Sequence, residues 1–209
     1  MITRDFFIGR PLSWSAISSF EYNQDQWYRR YILNEKTPES AEMKFGKLLA
    51  TSIEEGKPLA PVTILSKVEY PLATMFNGIK LVGYIDTYEP HKALGEFKSG
   101  KAAWTQERAD QHGQIDMYLL QLYIMHKVKP EKVKCFLQWV PTQANGDFTI
   151  TFTTTPPTVH TFKTKRTMSD ILKFAARINI VTEQMIKYAN ERAQVENPIG
   201  EIIKENVNK

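Results

Sequence analysis

Apolar and polar positions along this chain change period from helical to alternating and back again. The stretch LSWSAISSFEYNQDQWYRRYIL starts behind Ser13 or Ser15, either of which can cap a helix, and sets Ala16, Ile17 and Phe20 on one face. Residues 1–11 ahead of it read as an irregular lead-in. A second helical segment, Asp25–Leu33, brings Trp27, Tyr28, Tyr31 and Ile32. After the polar loop 34–40, Ser40 opens a helix predicted over Ala41–Glu55. Its core face carries Phe45, Leu48, Leu49 and Ile53, and Gly56-Lys57-Pro58 stops it. Gly46 inside that helix costs about 1 kcal/mol relative to Ala, which predicts a close approach by another part of the chain.

Strand patterning follows Pro61. Ser66–Leu72 and Ile79–Tyr88 flank Asn77-Gly78, a hairpin turn signal. Ala93–Lys98 pairs back after the polar turn Glu89-Pro90-His91-Lys92, completing an antiparallel meander. A helix is predicted over Thr105–Val128, with Gln111, Gln114 and Tyr118 on one face and Ile115, Leu119 and Leu122 on a wide apolar one. Strands are expected at Lys132–Val140, at Phe148–Thr154 after an Asn145-Gly146 turn, and at His160–Lys163. Thr167 and Asp170 resemble a capping box for a last helix over Met168–Arg192, with Ile171, Leu172, Ala175, Ile178 and Met185 inward. The order predicts one α/β (α+β) domain over 1–209 with a central mixed sheet flanked by helices, and a frayed tail at 195–209.

Composition narrows this little. Hydrophobic residues make up 42% and charged residues 24%, ordinary for a globular chain. No apolar run is long enough to span a membrane, and the N-terminus lacks a signal-peptide pattern, so a cytoplasmic protein without a membrane partner is expected. The single cysteine, Cys135, excludes an intrachain disulfide and a cysteine-rich metal site, and is expected in the core. His91, His112, His126 and His160 form no close metal-ligand pair. A net charge of +4 permits an acidic partner without indicating one.

The chemistry concentrates in Gly83–Gly100, GYIDTYEPHKALGEFKSG. A turn centred on His91 sets Asp86 opposite Glu96, and opposed residues share a face about 5 Å apart. Glu96 and Lys98 share a face by alternation and Phe97 points to the other. Two carboxylates so close repel, and a divalent cation would offset that more completely than one Lys. Mg²⁺ is commonly held by one or two carboxylates plus substrate phosphate. The plainer alternative is an ordinary hairpin with a solvated Glu–Lys pair. Similarly, Gln114 and Tyr118 would serve as a buried polar pair tying helix to sheet. Arg29-Arg30, Lys44, Lys47, Lys101 and Arg108 either line a phosphate path or are solvated surface residues.

The ordered set is Gly46 on the helix before the sheet, Asp86 after Gly83, Glu96-Phe97-Lys98 on the next strand, and Gln114-x-x-x-Tyr118 on the following helix. It resembles the PD-(D/E)xK nuclease superfamily, in particular its RecB-like exonuclease branch, over most of residues 12–130. The opening LSWSAISSFEYNQDQWYRRYIL is similar to that branch's N-terminal segment. The resemblance implies a restriction-endonuclease-like core and an Mg²⁺- or Mn²⁺-dependent nuclease, with DNA as substrate, in recombination, repair or phage DNA processing. A protein partner in a recombination or replication complex is also implied. Asp86, Glu96 and the Phe97 carbonyl would bind the metal. Lys98 would orient the attacking water or steady charge on the phosphate. Gln114 and Tyr118 would contact DNA or the lysine and carboxylate.

Two departures stand out. The branch's G-x-x-x-H histidine is replaced, since Gly46-Lys47-Leu48-Leu49-Ala50 ends in alanine, with Glu54 one turn on as a candidate substitute. The Cys-Pro is also missing, with Asn23-Gln24 near its place. A catalytically weakened module that binds nucleic acid or a partner protein, and a structure-specific or restriction-type endonuclease, are the alternative readings.

Overall fold

The computed structural model describes residues 1–145 and 149–196. The expected Asn145-Gly146 turn, the first residue of the Phe148–Thr154 strand and tail residues 197–209 lie wholly or partly outside them. The helices are α1 (Phe6–Gly9), α2 (Trp14–Tyr22), α3 (Gln24–Trp27), α4 (Ala41–Glu54), α5 (Gln106–Asp110), α6 (Gly113–His126) and α7 (Met168–Glu196). The strands are β1 (Lys67–Phe76), β2 (Ile79–Glu89), β3 (Ala93–Gly100), β4 (Lys134–Ala144), β5 (Ile150–Phe152) and β6 (His160–Thr164). The fold is mixed α/β. Its six-stranded sheet runs β1-β2-β3-β4-β5, with β6 also paired to β4. β2 and β3 are antiparallel, β3 and β4 are parallel, and β4 is antiparallel to β5 and β6. The parallel step needs a crossover, and α5 and α6 supply it.

Two compact units share the described residues. One holds Met1–Thr37, the Met75–Leu81 hairpin tip and everything from Ala175 on; the other holds Pro38–Thr74 and Val82–Phe174. In the first, Ser13 Oγ accepts the Ala16 N–H at 3.2 Å and starts α2. Leu12 forms a parallel bridge with Leu81. Phe20 stacks edge-on against Trp27 and Tyr188 in its core. The lead-in is not wholly irregular, because α1 forms there and buries Phe7. Asp25–Leu33 is α3 followed by one wider turn over Tyr28–Ile32, in which Leu33 N–H reaches back to Tyr28 O at 3.1 Å. Asn77 and Gly78 both take positive φ, 46° and 80°, as a tight hairpin turn between right-twisted strands requires.

In the second unit, Leu49, Ile53, Ala60, Val62 and Val140 form a buried cluster that Phe97 joins from β3. Ser40 caps α4 through the Met43 N–H at 3.2 Å. Leu48 is 56% exposed, and so is not on the core face expected for it; Leu172 on α7 is likewise 61% exposed. Each sits one residue before or after an inward position, so a helical stripe drawn one residue too wide took them in. A Cβ on Gly46 would meet only Ser99 Oγ, at 3.7 Å, an ordinary contact, so the expected close approach is absent. The tight positions are Gly83 and Gly95. A Cβ on Gly83 would come within 3.0 Å of the Tyr118 ring, and one on Gly95 within 2.3 Å of the Phe136 ring.

The helix expected over Thr105–Val128 is two helices. Gln111 and His112 leave helical geometry between α5 and α6, which takes Gln111 off the Gln114–Tyr118 face. The break has a partner: Arg166, 4% exposed, donates to the carbonyls of Ala109 at 3.3 Å and His112 at 3.5 Å. Each carbonyl also takes a backbone N–H, from His112 at 3.3 Å and from Ile115 at 3.2 Å, so the guanidinium adds a second donor at the break. At the start of α7, Thr167 N–H and Asp170 Oδ2 bond at 2.8 Å, and Asp170 N–H returns to Thr167 Oγ1 at 3.3 Å, a reciprocal box. Cys135 is buried and free, its thiol pushed up to about 12 by burial. Among the described residues, no helix is long and apolar enough to cross a membrane.

Candidate active site

The turn chemistry between β2 and β3 sets the site's geometry. Lys92 N–H bonds Glu89 O at 3.0 Å, His91 takes φ 61°, and the His91 N–H reaches the Tyr88 hydroxyl at 3.0 Å. Thr87 therefore pairs with Gly95 and Tyr88 with Leu94, the register in which Asp86 comes next opposite Glu96. Asp86 Oδ2 accepts the Phe97 N–H at 2.5 Å. The carboxylate thereby takes a backbone donor of the neighbouring strand.

Glu96 is 2% exposed. Its Oε1 accepts from Lys98 Nζ at 2.5 Å and its Oε2 bonds the Tyr118 hydroxyl at 3.1 Å. Lys98 Nζ also donates to Gln114 Oε1 at 2.9 Å, and Gln114 Nε2 donates to the Tyr118 oxygen at 2.5 Å. Tyr118 is close to Tyr84 O as well. A phenol carries one proton, so the hydroxyl donates to one of its two acceptors, Tyr84 O and Glu96 Oε2, at a time. Gln114 and Tyr118 lie four residues apart on α6, hence on one face, and the missing side chain of Gly83 lets the Tyr118 ring reach β2.

Electrostatics follow from this crowding. Burial, then the charge of Glu96, push the Asp86 carboxyl well above its ordinary range; Lys98 and the Phe97 N–H oppose them. Burial, then Glu96 and Asp86, hold the Tyr118 hydroxyl well above its usual range, so it stays a phenol. His112, which bonds Gln114, falls to about 3, chiefly through burial and then the Lys98 charge. It is a neutral imidazole at any ordinary pH. Trp104 stacks edge-on against it at 5.0 Å, with Arg108 4.1 Å over the Trp104 ring.

In front of the carboxylates lies a cavity of about 150 Å³, lined by Gly46, Leu49, Ala50 and Ile53 of α4, with Asp86, Glu96, Phe97, Ser99 and Glu69. Lys98, Gln114 and Tyr118 bond Glu96 or one another and are not among its lining residues. Sequence reasoning missed Glu69. It sits inside β1 at φ 47°, a left-handed conformation uncommon for a residue with a side chain. Its carboxyl is raised by burial, then by Glu54 and Glu96. Glu54, the candidate substitute for the missing histidine, is exposed and does not line the cavity. Ala50 does, with a methyl group. Lys47 pairs with Glu39, and Lys44 and Lys101 are exposed. Arg29 lies 3.9 Å from Glu35 and Arg30 lies over the Tyr31 ring in the other unit.

The donor set is hard: carboxylate oxygens of Asp86 and Glu96, with Phe97 at the same wall. Among the described residues no group of three His, Cys, Asp or Glu side chains is placed to hold a metal ion. Two carboxylates with open space before them fit Mg²⁺ or Mn²⁺, which fill their remaining positions with water and substrate phosphate.

No protein-family model matches this chain, and no curated protein does. Among solved structures, the crystal structure of a "Putative exonuclease" from Eubacterium rectale aligns with it at a TM-score of 0.41 and 14% identity, over 91% of this chain and 69% of that one. That likeness is weak on both measures.

Proposed function

We propose that this protein is an Mg²⁺- or Mn²⁺-dependent deoxyribonuclease that hydrolyses phosphodiester bonds at the cavity lined by Asp86 and Glu96, with Lys98 bonded to Glu96 beside it. The observation that carries this reading is the placement of a lysine ammonium on a buried carboxylate, Glu96, that lines one cavity together with Asp86. Asp86, Glu96 and the Phe97 carbonyl would hold the cation. The chemistry supplied with the cation in place is neutralisation of phosphoryl charge and a more acidic water.

The chain's own residues do the rest. Glu96 and Gln114 hold Lys98 Nζ between them, so its compact positive charge is fixed in direction and available to a phosphoryl oxygen or a water. Tyr118 holds Glu96 from the other side and stays protonated, which keeps the carboxylate from rotating away from the cavity. His112, neutral, fixes Gln114 without adding a competing charge. Leu49 and Ile53 wall the cavity and exclude water from one side.

The competing reading is a module that binds DNA without cutting it, and Ala50 favours it, because a methyl group lines the cavity where the resemblance expects a ligand. Incubating end-labelled linear and covalently closed circular DNA with each metal separates the readings. Cleavage dependent on either cation, abolished by Asp86→Asn, supports the nuclease; salt-dependent binding indifferent to chelator, with no cleavage, supports the module. Cutting of the closed circle identifies an endonuclease, and cutting of the linear form alone identifies an exonuclease.

A further inference from the structure

An acidic pocket attracts a cation but repels the phosphates of a polyanion, so affinity for DNA has to come from elsewhere on the surface. In the unit that holds the pocket, a groove of about 1130 Å³ opens over β4, β6 and the segment before α7. Lys132, Lys134, Lys163 and Lys165 line it. All four are exposed, and no ion pair among the described residues engages them.

Their placement comes from strand pairing. Phe136 pairs with Lys163 and Cys135 with Thr164, so the next position sets Lys134 against Lys165. Like charges directly opposite each other on a sheet are destabilising. Lys163 on β6 and Lys165, one residue past its end, alternate with buried Thr164 and Arg166, hence they share the exposed face at about 6.6 Å apart. Two acids lie on the groove wall and keep their charge, since their partners are neutral amides: Glu131 accepts the Met168 N–H at 2.5 Å, and Asp110 accepts from Gln106 at 3.0 Å. Four ammonium groups thus face two carboxylates, and the groove keeps a positive excess with none of the four lysines in an ion pair among the described residues.

We propose that this groove binds the phosphate backbone of DNA, separately from the acidic pocket. Lysines on an open groove hold phosphates as point charges, without regard to sequence. The choice of DNA among polyanions rests on the nuclease reading above; the groove's cationic character does not. The groove accordingly supplies binding, and the pocket supplies chemistry.

The test is binding of a fluorescent 30-mer, single-stranded and duplex, in chelator across a range of salt, with RNA of the same sequence as a third probe. K134Q/K163Q/K165Q is compared with the charge-matched exposed control K36Q/K57Q/K173Q, and thermal melts confirm that each is folded. Removing three phosphate contacts should flatten the duplex log–log salt slope by about 2.7 and lower affinity on the order of 10²- to 10³-fold at 0.1 M salt, with the control near wild type. An unchanged slope in the groove variant, or equal loss in the control, overturns the groove whatever the cleavage result. Tighter RNA binding through the same lysines overturns the choice of DNA. Groove-dependent binding without metal-dependent cleavage keeps the groove and discards the nuclease.

Discussion

Two ion pairs in the same unit, each with one buried member, show what separates a strut from a site. Arg166 and Asp116 are 4% and 16% exposed, and Lys98 and Glu96 are 26% and 2%. Arg166 spends its guanidinium on Asp116, Thr164 Oγ1 and the carbonyls of Lys165, Ala109 and His112. Its donors are used up within the protein. Lys98 has three donors and two protein acceptors, Glu96 and Gln114, and the carboxylate it holds lines a cavity. The first pair closes a helix break; the second leaves capacity for something that is not protein.

The largest expected effect separates them by stability. Arg166→Ala leaves the Asp116 carboxylate without its cation and takes one donor from the Ala109 and His112 carbonyls, and should cost about 3–5 kcal/mol in urea denaturation. Replacing both members, Arg166→Met with Asp116→Leu, should return most of that loss, as apolar replacement of a buried pair often does. Glu96→Leu with Lys98→Met should likewise fold, yet cleave no DNA; retention of cleavage would make the second pair another strut.

Lys98→Ala should slow cleavage on the order of 10²- to 10³-fold, the usual cost of removing one group aimed at developing charge. Tyr118→Phe removes one buried hydroxyl and should cost about 1 kcal/mol in stability, with a smaller loss of rate than Lys98→Ala. A Tyr118→Phe enzyme at full rate would reduce the hydroxyl to packing.

A pH series distinguishes the groups by sign. Asp86 has a raised pKa in the fold, so without metal the folded chain binds more protons than the unfolded one. Stability should then fall as pH rises from about 3.8 through the raised value, and Asp86→Asn should remove that fall. His112 behaves oppositely. Its imidazole ordinarily titrates near 6.5 and here near 3, so stability should fall as pH drops from about 6.5 towards 3, and His112→Gln should flatten that limb. Thermal melts across pH in chelator read both. The smallest effect belongs to Glu69→Gln. It should lower Mn²⁺ affinity by calorimetry several-fold while leaving the fold intact, because Glu69 adds negative charge to the cavity.

What the sequence made visible was local. Asn77-Gly78, the Glu89–Lys92 turn and the Thr167–Asp170 box are read from a few adjacent residues, and so is the register that brings Asp86 towards Glu96. Gln114 and Tyr118 needed only helical spacing. Glu69 was not visible, because a left-handed residue inside a strand breaks the alternation by which a strand's faces are read. The break between α5 and α6 was hidden for a related reason: the side chain that bonds it, Arg166, lies more than fifty residues away. The lysine groove depends on β4 and β6 pairing across a long connection, which no local pattern specifies.

The central claim is that Asp86, Glu96 and Lys98 form a cation-dependent cleavage site, and end-labelled DNA tests it directly. With Mg²⁺ or Mn²⁺, wild-type protein should shorten the labelled strand and Lys98→Ala should do so at least about 10²-fold more slowly, while chelator stops both. Intact DNA in both metals, or a Lys98→Ala protein that cuts at the wild-type rate, would contradict it.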